Sequence, residues 1–214
     1  MAKYPKGSEW RIWDLHIHTP GTAKNDQYGN DEAAWEAYIA KLEENTDVAV
    51  LGITDYFSIE NYLFLKQKQA MGRLLGKTIL PNVELRITPV TRQETPINIH
   101  VIFNPELSID LIEREFIGCL KFSYGGSEYS FTRRDLIALG KAFRNDNSLD
   151  DESARKVGIG QFNINFQDLY RILQKPILRN HILLQFPIVI KMAIVAFNIP
   201  LWKLPDWRSI ECQI

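Results

Sequence analysis

Cysteine, histidine and net charge are all scarce in this 214-residue chain. There are two cysteines, Cys119 and Cys212, four histidines, and a formal net charge of -1. Two cysteines so far apart form neither a disulfide framework nor a Cys-x-x-Cys redox or metal site, so a reducing, cytoplasmic setting is expected. The amino-terminal run Met1-Ala-Lys-Tyr-Pro-Lys-Gly7 lacks the apolar core of a secretory signal. The near-zero charge supplies no global attraction to nucleic acid or anionic membrane, although a local basic groove is compatible with it. No Gly-x-x-x-x-Gly-Lys-[Ser/Thr] loop occurs, which excludes ATP hydrolysis by a P-loop within this chain. Internal repeats and low-complexity stretches are also missing. What remains is 45% hydrophobic and 24% charged, an ordinary globular balance, and long enough to bury one sizeable core.

Against that scarcity, two of the four histidines fall one residue apart, in Trp13-Asp14-Leu15-His16-Ile17-His18-Thr19. Side chains alternate faces along a strand, so His16 and His18 project the same way. That spacing lets two imidazoles grip one metal ion or two adjacent ones.

The chain from 10 to 175 alternates strand-like and helix-like patterns, which predicts an α/β layered or barrel fold. A short strand is expected at Arg11–Leu15, then a helix from about Asp31 with Trp35, Tyr38, Ile39 and Leu42 on its buried face. The continuous apolar run within Asp47–Thr54 suits a parallel strand buried on both faces. Ser58 is placed to cap a helix running toward Leu75 and ending near Gly76. Further strands are expected at Thr78–Ile87 and Ile97–Phe103, and a helix carries Ile109, Ile112, Phe116 and Leu120. Tyr124-Gly-Gly-Ser127 reads as a hairpin turn. Thr132-Arg-Arg-Asp135 reads as a capping-box variant that opens a helix to about Phe143.

Candidate chemistry gathers at the ends of those strands. Asp55 closes the buried 48–54 run, where parallel α/β folds place working groups; the bland alternative is an Asx turn or helix cap. Glu84 shares a strand face with Asn82 and Arg86, while Val83, Leu85 and Ile87 face the core; alternatively it is a surface glutamate paired with Arg86. His100 lies opposite the apolar face formed by Ile97, Ile99, Val101 and Phe103, where a hydrogen-bonded core histidine is the competing account. Together, His16, His18, Asp55, Glu84 and His100 are the candidate metal ligands, with Asp55 and Glu84 the candidate catalytic carboxylates. Such nitrogen and oxygen mixtures suit zinc, manganese or iron rather than calcium. Trp10 and Trp13 flank Arg11 and read as barrel-bottom packing rather than a base-stacking platform. Lys66, Lys68 and Arg73 read as a solvated helix face rather than a DNA patch.

The ordered motifs Asp14-Leu-His-Ile-His-Thr19, Gly52-Ile-Thr-Asp-Tyr56, Pro81-Asn-Val-Glu-Leu85 and Ile99-His100 resemble those of the PHP (polymerase and histidinol phosphatase) superfamily. Gly7-Ser-Glu-Trp-Arg-Ile-Trp-Asp14 and Ile53-Thr-Asp-Tyr-Phe-Ser58 are similar to signatures of the TrlF-like group, whose PHP domain precedes an ATPase linked to DNA repair or phage defence. The resemblance covers about residues 5–175. It implies an incomplete distorted (β/α)7 barrel with up to three metal ions at the strand ends, His16 and His18 on the first, Glu84 bridging, and His100 on the second. It also implies hydrolysis of phosphoester bonds, including those of nucleic acid, with an ATPase domain as partner in the longer family members and no membrane. The superfamily usually carries histidine where this chain has Tyr56, which leaves Asp55 as the nearby substitute. Its closing Asp-x-His is missing after His100. The alternative is a catalytically inactive or regulatory PHP remnant.

From 179 onward the character changes, dividing the chain into a PHP-like part at 1–178 and an atypical tail at 179–214. The tail has long apolar runs, several prolines and no glycine. Gln185, Pro187, Lys191, Asn198 and Pro200 interrupt it too often for a membrane span. An out-of-frame origin is the expectation: if each codon's third base is read with the next two, Met192-Ala193 forces a glycine within a polar stretch similar to the larger ATPases.

Overall fold

The apolar residues at 48–53 belong to the best-buried strand of a mixed sheet in the computed structural model, which describes residues 11–22, 28–88, 97–186 and 193–196. Along the chain, β1 (Ile12–His18) is followed by α1 (Glu32–Glu44), where Asp31 accepts the Ala34 amide at 2.7 Å. This helix buries Trp35, Tyr38 and Ile39, as its periodicity predicts. β2 (Val48–Tyr56) leads to α2 (Glu60–Ala70), which is shorter than expected. Its cap position is Ile59 rather than Ser58, whose Oγ accepts the Glu60 amide at 3.1 Å. The chain leaves the helix at Met71, because Gly72 and then Leu74 adopt positive φ.

β3 (Thr78–Thr88) and β4 (Ile97–Phe103) precede α3 (Ile109–Glu115), which stops before Phe116; a 3-10 turn at Ile117–Cys119 carries the chain on. β5 (Lys121–Tyr124) and β6 (Ser127–Ser130) form the expected hairpin around Gly125 and Gly126, both at positive φ. In α4 (Arg133–Arg144), Thr132 caps the Asp135 amide, while Asp135 reaches back to the Ser130 amide. α5 (Asp151–Gln161), β7 (Ile164–Asn165), α6 (Phe166–Leu173), β8 (Ile182–Phe186) and β9 (Ala193–Ala196) complete the described elements.

The sheet order is β1-β2-β3-β4-β8-β9, with β7 pairing the end of β3. The fold is therefore mixed α/β. Among the described residues the sheet does not close into a barrel. β1, β2 and β3 are parallel, but β4 runs antiparallel to β3, and β8 and β9 reverse in turn. The parallel strand–helix repeat that curls a sheet into a barrel stops after β3. β8 begins within the stretch set apart as the 179–214 tail, yet Ile182, Leu183 and Leu184 are buried against the core.

Strand parity separates the two faces. On the helix side, Val83, Leu85, Ile99, Val101 and Leu184 form the larger core with Leu139 and Leu169, and Leu51 and Ile53 form a second cluster with Ile39 and Leu65. The other face carries a smaller cluster of Leu15, Val50, Leu80, Ile102 and Leu183, with Trp13 packed against it, so Trp13 is core packing. Trp10 lies outside the described residues. Lys68 of α2 and Arg73 in the turn after it are tied to Glu36 and Glu43 of α1 as an ion-pair network.

α4 and α5 touch backbone to backbone through Gly140 and Gly158. A Cβ at Gly158 would meet the Leu136 carbonyl, with Leu136 Cα at 3.1 Å, whereas one at Gly160 meets nothing within 4 Å. Alanine in a helix interior is normally better than glycine by ~1 kcal/mol. Gly160→Ala is therefore expected to raise the denaturant midpoint. Gly158→Ala is expected to lower it by ~2 kcal/mol or more, because backbone cannot yield as a side chain does. Equal effects of the two substitutions would contradict the close helix contact.

Candidate metal centre

β1 delivers the two imidazoles through an irregularity. Its pairing with β2 shifts register between Asp14 and Ile17, and the His16 amide donates to Asp14 Oδ1 at 3.3 Å. The Leu15 carbonyl turns inward, where Asn82 Nδ2 donates to it at 2.6 Å and the Thr54 hydroxyl at 3.4 Å. Gly52 makes room for that approach, since any Cβ there would collide with Leu15 backbone. The bulge redirects the strand end, as bulges beside functional sites do. His16 and His18 then stand with their Nε2 atoms 3.0 Å apart.

Glu84 comes to the same place from β3. Tyr56, Glu84, His100 and Gln185 are register partners across β2, β3, β4 and β8, and so share one face of the sheet. Glu84 is 1% exposed, which overturns the account of a surface glutamate paired with Arg86; that guanidinium instead donates to the Gly160 carbonyl at 2.6 Å. Asn98 Nδ2 holds Glu84 Oε1 at 2.6 Å and leaves Oε2 turned to the imidazoles, 3.6 Å from His16 Nε2 and 3.5 Å from His18 Nε2.

These three atoms form a nearly equilateral triangle. A zinc ion with ligands at about 2.0–2.1 Å separates tetrahedral donors by about 3.3 Å, so the triangle fits one face of such a coordination shell. Glu84 Oε2, turned to the imidazoles, is buried without a hydrogen-bond partner. Buried polar atoms are nearly always satisfied by protein, water or an ion, so a buried carboxylate oxygen left open beside two imidazoles points to a bound cation. His16, His18 and Glu84 are the compact group among the described residues that can hold a metal ion.

His100 lies beside the triangle, its ring centroid 4.4 Å from that of His16. Burial pushes its pKa down to about 4, further than the Glu84 charge raises it, so the ring is neutral at physiological pH. Burial also holds the His18 pKa down, against the opposing pull of Glu84. Burial works to raise the Glu84 pKa, but His16 and the other nearby imidazoles outweigh it, and the carboxyl stays below its ordinary range. A carboxylate held in its charged form and an imidazole held neutral at His100 suit metal ligation, which needs deprotonated donors. Tyr56 stacks on His18 with ring centroids 5.5 Å apart; burial first, then Glu84, raises its phenol pKa.

Asp55 is not brought to this group. It lies one residue out of phase with Tyr56, so its side chain is on the helix side of the sheet, 2% exposed. Its Oδ1 accepts the Thr19 hydroxyl at 2.6 Å and the Asn61 amide at 3.3 Å, binding the end of β1 to the start of α2. That is closer to a local structural anchor than to a substitute ligand. Asn82 and Asn98, which fix the bulge and the carboxylate, were not among the predicted site residues. Their signal was positional: each precedes a site residue by two and shares its face.

Burial raises the Asp55 pKa to about 6, more than the Thr19 and Asn61 hydrogen bonds lower it. An unfolded aspartate titrates near about 3.9. The folded state thus binds this proton more tightly, so the group's stabilisation is full below pH ~4 and is lost as pH rises through ~6, amounting to ~3 kcal/mol. Other groups titrate in this range, so the difference between wild type and Asp55→Asn isolates it. Relative to Asp55→Asn, wild type is expected to lose stability between pH 4 and pH 7 in denaturant titrations. A constant difference across that interval would contradict the buried carboxylate.

No family model matches the chain, and no curated protein matches it either. Among the described residues no helix is long and apolar enough to cross a membrane.

Proposed function

We propose that this chain is a metal-dependent phosphoesterase domain of the PHP type. In it His16, His18 and Glu84 hold one divalent cation, and His100 lines the same site. The supporting observation is the triangle of His16 Nε2, His18 Nε2 and Glu84 Oε2, with sides of 3.0, 3.6 and 3.5 Å, around a buried carboxylate oxygen with no hydrogen-bond partner. Two imidazoles and a carboxylate suit zinc, manganese or iron(II) better than magnesium or calcium. A cation there supplies Lewis acidity toward a phosphoryl oxygen and lowers the pKa of water toward neutrality. The protein's part is to position its donors: Asn98 aims Glu84, and the Leu15 bulge aims the imidazoles. Phosphoester bonds of nucleic acid or nucleotides are the proposed substrates, with an ATPase domain as partner in a longer protein concerned with DNA repair or phage defence. The architecture carried by this reading is a distorted (β/α)7 barrel of which the described sheet is the open part.

A second reading, a regulatory PHP-like module that binds metal without turnover, draws support from two residues. Tyr56 stands where the resemblance calls for histidine, and Asp55 faces away from the site, so the donors of a further cation are thinned. One pair of measurements separates the readings: metal content of the purified chain, and hydrolysis of p-nitrophenyl phosphate and labelled single-stranded DNA with manganese. Metal with turnover supports the enzyme, metal without turnover the regulatory module, and a chain that takes up no metal overturns both.

A further inference from the structure

Arg86 is a half-buried cation on the same sheet face as the candidate metal centre. It follows Glu84 by two residues on β3, so both side chains leave the sheet on one side. Its register partner on β4 is Asn98, the residue whose Nδ2 holds Glu84 Oε1 at 2.6 Å. Same-face residues two apart on a strand are separated by roughly 7 Å, a gap that an arginine side chain spans. The Arg86 Nη1 donates to the Gly160 carbonyl at 2.6 Å, near the carboxyl end of α5. Among the described residues no carboxylate oxygen stands within 4.0 Å of its guanidinium.

The Gly160 contact fixes how the guanidinium is presented. That carbonyl belongs to the last turn of α5 and lacks an intrahelical donor, so one N–H of Arg86 is spent on it. Nε and Nη2 make no hydrogen bond with the described residues and are not among the buried polar atoms, so solvent reaches them. Together they form the two-donor fork that matches a pair of phosphate oxygens. A cation drawn partly out of water is costly unless an anion meets it. The face is open as well, since His16 and His18 are both partly exposed. A divalent cation there, offset by Glu84 and joined by the guanidinium, leaves two positive charges, which suits a doubly charged phosphate.

We propose that Arg86 is a substrate-binding residue of this centre, its Nε–Nη2 edge holding two oxygens of a phosphoryl group whose third oxygen lies on the cation. The proposal rests on the metal reading above and adds to it the group that recognises the phosphoryl oxyanion. Arginine suits that part better than lysine, because its planar fork fixes two oxygens at once. The competing account is a helix cap alone, in which Arg86 serves α5 and touches no ligand.

Calorimetric titration of the Co2+-loaded full chain with inorganic phosphate at pH ~7.5, where phosphate is mostly doubly charged, tests it. Arg86→Gln keeps an N–H for the Gly160 carbonyl but removes the charge and the fork. It is expected to weaken phosphate binding at least about tenfold, as loss of a charged hydrogen bond predicts, with cobalt stoichiometry kept. A lower unfolding midpoint with unchanged phosphate affinity makes Arg86 a helix cap and overturns the proposal. So does a wild type that takes up cobalt but binds no phosphate up to about 50 mM. A chain that takes up no cobalt overturns the metal reading and this proposal with it, whereas cobalt uptake with phosphate binding indifferent to residue 86 overturns this proposal alone. Should Arg86→Gln not fold, Arg86→Lys decides, because it keeps the charge without the fork. A loss of about threefold or more then supports the assignment, and unchanged affinity refutes it.

Discussion

With His16 and His18 both replaced by alanine, bound divalent metal is expected to fall from about one ion per chain to a background level. Any phosphoesterase activity should fall with it by at least about a hundredfold, since even outer-shell partners of metal ligands are worth ten- to a hundredfold. Both side chains are partly exposed, at 34% and 24%, and the β1–β2 pairing runs through backbone, so far-ultraviolet circular dichroism should stay unchanged. Glu84→Gln should give the same loss of metal by another route. It keeps an acceptor for Asn98 but can present an amide N–H where Oε2 stood 3.5 Å from His18. Elemental analysis after dialysis reads the first quantity and turnover with manganese the second. Stoichiometric metal retained in the double variant would place the ion elsewhere.

Gly52→Ala is expected to damage the site without touching a single donor. Its Cβ would sit 2.7 Å from Leu15 Cα and closer still to the Leu15 carbonyl. That carbonyl is the group held by Asn82 and Thr54, so β1 cannot back away without breaking buried hydrogen bonds. Overpacking against side chains costs ~1–3 kcal/mol, and a backbone wall places this substitution at or above ~3 kcal/mol. The imidazoles ride on the same bulge, so metal affinity should fall together with the thermal midpoint. A variant that loses stability but binds metal as tightly as wild type would show that the bulge and the site are uncoupled.

Much of the architecture was legible because it is written in local periodicity. The apolar stripe of α1, the unbroken apolar run of β2 and the Gly125-Gly126 turn each follow from short-range sterics and burial. Alternation in β3 likewise separated Glu84 from Val83 and Leu85. The helix after Ser58 ended early because a left-handed turn at Gly72–Leu74 outweighed continued helical spacing. Where the parallel run of strands ends was not legible, because strand direction is settled by pairing across long separations, and β4 and β8 pair antiparallel.

The sequence by itself determined that His16 and His18 share a side of one strand, and that Glu84 and His100 each sit on the polar side of theirs. Those are consequences of a two-residue repeat. Only the tertiary structure decided that Glu84 comes within 3.5–3.6 Å of both imidazoles of β1 with the His100 ring beside His16, and that Asp55 belongs to the opposite face and another cavity. Register is set by which backbone groups hydrogen-bond between strands, and a shift of one residue exchanges the two faces, so no local pattern can fix it.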